Sequence, residues 1–159
     1  MNKTETLKRI FNQIKAKYGL STTLVIKSES DMFAPIFQRA DWFCLIGDGP
    51  SYICLNDEKF DSVNTQGLVN ILCHEFGHIM DNFKTPEPSA DGSLEDVISY
   101  EKAANDIGRE LYAEYFPLET YWNNHEDIIR MQSSYSFYTE GKPQVKELPD
   151  LFKEDHEPA

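Results

Sequence analysis

One stretch, residues 68–80, constrains this chain more than any other, because it contains His74-Glu75-Phe76-Gly77-His78. If the segment is helical, residues four apart stand one above the other, and the imidazoles of His74 and His78 can close on a single metal ion. Glu75 then lies beside that face, closer to a water on the ion than to the ion itself, which is where a general base belongs. Leu68, Ile71, Leu72, Phe76 and Ile79 recur at helical spacing and give the helix a core side opposite the histidines. The plain alternative is a buried helix with two hydrogen-bonded histidines, so a third ligand has to be sought elsewhere.

With 159 residues, 40% of them hydrophobic, the chain is long enough for one domain with a core that needs no disulfides. Cys44, Cys54 and Cys73 are an odd set without a Cys-x-x-Cys pair, which suits a reducing, cytoplasmic setting. Cys73 is turned about 100° away from His74 on the helix and reads as a small core residue. No run of about 18 apolar residues offers a membrane span, and the first residues look like a charged helix rather than a signal peptide. A net charge of −12 would repel phosphates, so a protein partner is expected rather than nucleic acid.

Around the motif the chain alternates short strands and helices. Residues 4–18 place Leu7, Ile10, Phe11, Ile14 and Tyr18 on one helical face, with Gly19 as the stop. The β-branched run at 22–28 predicts a strand, whereas 29–40 mixes polar and apolar residues and is either an irregular crossing or a short strand. Residues 41–47 and 51–56 flank Gly47-Asp48-Gly49-Pro50, which predicts a hairpin. Its second strand precedes the motif helix, and is either an exposed edge able to hold an extended peptide or an ordinary inner strand. The motif helix is expected from 62 or 64 to about 82, followed by a loop over 83–93.

Ser93 and Asp96 form a capping-box-like start for a long helix over 94–116, ended by Pro117. A third helix is expected at 118–133 with Tyr121, Trp122, Ile128 and Ile129 inward. The domain is taken as residues 1–140, and 141–159 as an acidic tail in which Leu148, Leu151 and Phe152 are the residues able to dock.

Glu101 is the candidate third ligand. On the second long helix it shares a face with Ala104, Asn105 and Gly108, and small residues at 104 and 108 would let that helix approach the motif helix at Gly77. Asn105, one turn on, is placed to hold the free ring nitrogen of a ligating histidine.

His74-Glu75-Phe76-Gly77-His78 followed by Glu101-Lys102-Ala103-Ala104-Asn105 resembles the gluzincin pattern of the ImmA/IrrE-type metallopeptidases, His-Glu-x-Gly-His and then Glu-x-x-Ala-Asn. The order of elements is also similar. The resemblance implies a zincin-like α+β fold, in which a small mixed sheet with a hairpin packs against the motif helix and the glutamate-bearing helix follows. It implies a bacterial or mobile-element zinc peptidase that cleaves a regulatory protein, often a transcriptional repressor. On this reading Zn2+ is held by His74, His78 and Glu101, and Glu75 is the catalytic base.

A group to stabilise the oxyanion is expected downstream, with His125 ranked before Tyr121, Tyr135 and Tyr138. Two other readings use the same residues. One is a catalytically silent, protein-binding module that keeps the scaffold, and the other is a structural metal site completed by His125 or a cysteine.

Overall fold

The structure, a computed structural model, describes residues 2–88, 92–122 and 150–154. The elements are α1 (Lys3–Tyr18), β1 (Thr22–Ile26), a one-turn α2 (Ala34–Phe37), β2 (Trp42–Leu45), β3 (Ser51–Leu55), α3 (Thr65–Asp81) and α4 (Leu94–Tyr112). Together they make a mixed α+β arrangement around one small sheet.

Local chemistry accounts for the helix limits. Asn2 caps α1 by accepting from the Glu5 amide, and Gly19 closes it in the left-handed conformation at φ 62°. Leu7, Ile10, Phe11 and Ile14 face inward as expected, but Tyr18 at the last turn stays 39% exposed. At the start of α4 the Ser93 hydroxyl accepts from the Asp96 amide while Asp96 accepts from the Ser93 amide, the reciprocal box predicted for this position.

The sheet order is β1-β3-β2. β2 and β3 form the antiparallel hairpin, with Cys44 opposite Ile53, and β1 runs parallel to β3 with Leu24 opposite Ile53. β3 is therefore the middle strand, with both rows of main-chain groups paired, and β2 lies at the edge. The segment 29–40 is neither of the expected forms in full: it contains the single turn α2, opened by Pro35, whose Phe37 packs edge-on against Phe43 at 4.9 Å.

α3 is apolar almost all round and buried almost throughout, as a central helix must be. α1 packs on one side of it, where Phe11 stacks on Phe76 with centroids 5.3 Å apart, and α4 packs on another. Contact with α4 is close because no side chains intervene. A Cβ at Gly77 would overlap the backbone of Ala104, and one at Gly108 would lie 2.9 Å from the Cys73 carbonyl oxygen.

α4 ends at Tyr112 and not at 116. The third helix expected from 118 does not begin there: Leu118–Thr120 is one 3-10 turn and Tyr121 has extended backbone at φ −68°, ψ 126°. Thr120 is held by its own bond to Pro117 O and by Gln66 and Tyr112, which favours a tight turn over helix continuation. Ile128, Ile129 and the rest of that predicted helix lie outside the described residues.

Residues 150–154 are not a loose appendage. The Asn64 amide donates to Phe152 O at 2.8 Å, Asn64 Nδ2 donates to Leu151 O at 2.6 Å, and Phe152 is 1% exposed against the first turn of α3. Gly67 makes room for its ring, since a Cβ there would sit 2.6 Å from Phe152 Cβ.

Candidate metal centre

His74 and His78 stand one turn apart on the α3 face that meets α4, and Glu101 reaches them from α4. His74 Nε2 lies 2.8 Å and His78 Nε2 3.3 Å from the same oxygen, Glu101 Oε2. All three residues are buried, with exposures of 7%, 5% and 2%. A buried ionised carboxylate costs several kcal/mol unless positive charge compensates it. Burial alone would push the Glu101 carboxyl up, but the His78 and His74 rings overcome this and hold it well below the usual carboxylate range.

The donor atoms suit a cation better than one another. His74 Nε2 and Glu101 Oε2 are buried without a hydrogen-bond partner despite their proximity. One ligand atom from each of the three residues can be chosen so that all lie within 4.8 Å of one another. A tetrahedral ion with bonds of about 2.0–2.2 Å holds its ligands about 3.3 Å apart, so the set fits a small divalent metal. Among the described residues the group comprises these three members, with neither a cysteine nor a third histidine added.

The orientation of His74 is fixed from behind. Its Nδ1–H donates to Asn105 Oδ1 at 2.7 Å, and the Tyr121 hydroxyl donates to the same oxygen at 3.2 Å. Two donors on one amide oxygen settle which end of Asn105 faces the ring, and they leave the His74 Nε2 lone pair for a metal. Asn105 thus stands where the helix spacing placed it. Tyr121, ranked among possible oxyanion groups, instead supports Asn105.

Glu75 lines the same cleft, a space of about 300 Å3 between α3, α4 and β2. Its exposure of 4% keeps bulk water from competing for the carboxylate. Beside it stands Cys44 on β2, whose thiol is pushed well above its usual range, first by burial and then by the negative field of Glu75. Tyr100, immediately before Glu101, stacks on the His78 ring with centroids 4.4 Å apart and planes 29° apart. Burial raises its phenol and keeps the hydroxyl protonated.

The strand bordering the cleft is β2 and not the second hairpin strand. Since β3 is paired on both sides, its outward main-chain groups cannot receive a peptide. His125 lies outside the described residues, as do Tyr135 and Tyr138. Cys73 is a fully buried core residue, as expected. Tyr100 and Cys44 were not apparent as cleft residues from sequence. Tyr100 had a usable signal, since it precedes Glu101 and lies four before Ala104 on the buried stripe of α4; Cys44 had none, because strand order decides its position.

No protein-family model matches the chain, and no match is found among curated proteins or solved structures.

Proposed function

We propose that the chain is a zinc-dependent metalloendopeptidase with a zincin-like fold, acting in the cytoplasm on a regulatory protein such as a transcriptional repressor. The observation that carries this reading is the convergence of His74 Nε2, His78 Nε2 and Glu101 Oε2 in a buried site beside Glu75. The motif's resemblance to the ImmA/IrrE-type peptidases supplies the substrate class, and a charge of −12 favours a protein over a nucleic acid.

Held by His74, His78 and Glu101, zinc would supply Lewis acidity to polarise a peptide carbonyl and to make water acidic enough to lose a proton near pH 7. Glu75 accepts that proton as the water oxygen bonds to the carbonyl carbon, then passes it to the nitrogen as the C–N bond breaks. Asn105 holds His74 in the tautomer that leaves Nε2 bare. The edge of β2 aligns an extended substrate by main-chain hydrogen bonds.

The purified protein is expected to carry about one zinc per chain and to cut a candidate repressor. Glu75→Gln retains the metal and loses cleavage, while His78→Ala loses both. Undiminished cleavage by Glu75→Gln would remove the assigned base.

A further inference from the structure

Three ligands and a base leave the developing oxyanion without an assigned donor from the protein. The carbonyl oxygen of a peptide gains negative charge as water attacks, and a preformed donor aimed at it stabilises that charge more than it stabilises the substrate. Glu75, Glu87 and Glu101 line the cleft as carboxylates, which as ions can only accept. Arg39 stands at the exposed mouth, and the Cys44 thiol is a weak donor beside Glu75. Tyr100 is the hydroxyl among the described lining residues.

Its placement is rigid. The ring is 4% exposed and stacked on His78, a ligand, and its neighbour Glu101 is another ligand on the same turn of α4. Tyr100 lines the same cleft as Glu75, His78 and Glu101, which sets it on the reacting side of α4. A donor held by a ligand's own ring needs little reorganisation when charge develops.

We propose that Tyr100 is a catalytic residue whose hydroxyl donates a hydrogen bond to the developing oxyanion of the scissile carbonyl. The inference rests on the peptidase reading and adds a protein donor that would share the oxyanion's charge with the metal. No proton leaves Tyr100: the oxyanion accepts the bond while water's proton goes to Glu75 and then to the departing amine. The hydroxyl returns to its resting contacts as the carbonyl reforms.

The test compares wild type, Tyr100→Phe and Glu75→Gln, each loaded with zinc. Tyr100→Phe deletes one oxygen and keeps the ring on His78, so zinc content by mass spectrometry and the thermal midpoint should match wild type. On fluorescein-labelled casein, kcat should fall about 100-fold with KM within about threefold. Binding of N-phosphoryl-Leu-Trp, whose tetrahedral phosphoryl group mimics the oxyanion, should weaken at least tenfold by calorimetry. Unchanged kcat and unchanged phosphoryl binding in Tyr100→Phe, with Glu75→Gln inactive, would overturn the role of Tyr100 and leave the peptidase reading standing. Loss of zinc in Tyr100→Phe would instead make Tyr100 a support for His78 and overturn a catalytic role. A wild type that holds zinc but neither cuts casein nor binds the phosphoryl dipeptide would overturn both.

Discussion

Replacing Gly77 with alanine adds one methyl group where α3 and α4 touch. The added Cβ would sit 2.8 Å from the carbonyl carbon of Ala104 and closer still to its oxygen. Backbone cannot swing aside as a flexible side chain can, so the helices must separate by roughly 1 Å to restore ordinary contact. Alanine gains about 1 kcal/mol over glycine in a helix interior, but overpacking of this kind costs about 3 kcal/mol, so a net loss of about 2 kcal/mol is expected.

The larger effect falls on the metal. Glu101 lies less than one turn from Ala104 and moves with α4, whereas ligand distances tolerate only about 0.2 Å. Zinc affinity should therefore drop by at least about 100-fold. Competition with a chromophoric chelator measures the affinity, and urea unfolding of the metal-free protein measures the stability. A Gly77→Ala protein with wild-type zinc affinity and an unchanged urea midpoint would refute the close approach of the helices and with it the placement of Glu101.

Removing the acceptor behind His74 in Asn105→Ala leaves the Nδ1–H and the Tyr121 hydroxyl without the oxygen they share. Zinc affinity should fall about 10–100-fold, read by the same chelator competition. Because the folded-state pKa of Glu101 is depressed, its contribution to the metal-free protein is present above the unfolded carboxylate value of about 4.3 and is lost as pH falls through the lower folded value. The urea midpoint of metal-free wild type should thus decline below about pH 4, and Glu101→Gln should lack that part of the decline. Truncating the buried Phe152 to alanine should cost about 3–5 kcal/mol in chemical unfolding, and a loss under 1 kcal/mol would deny the segment 150–154 its place on α3.

Features that depend on local spacing were legible in the sequence. The i, i+4 histidines, the Ser93–Asp96 box and the Gly47–Pro50 turn each lie within a few residues and each have a stereochemical reason. Glu101 was also legible, although it comes from another helix, because Ala104 and Gly108 beside it announce a helix face able to approach closely. Strand order was not. A hairpin signal says that β2 and β3 pair, but which of them takes β1 as its second neighbour depends on the packing of α1 and α3. Of the two forms the sequence allowed for the second hairpin strand, the inner one is observed, and the edge falls to β2 with Cys44 on it.

The start expected for a helix at 118 is absent for a similar reason. Its apolar spacing is real, yet Thr120 finds better partners in Gln66 and Tyr112 than a helical turn would offer. The docking of Phe152 depends on a gap over Gly67 that only the assembled α3 and its neighbours create.

The separation between ligands and clasp has a kinetic consequence. His74, His78 and Glu101 belong to two consecutive helices, so their meeting closes a short loop and incurs little entropy loss. Phe152 must return from far downstream to reach the first turn of α3, a closure that comes later in folding and is released sooner under mild stress. The helical pair can thus bring His74, His78 and Glu101 together while its far end is still unfastened, and opening at residues 150–154 leaves that meeting intact.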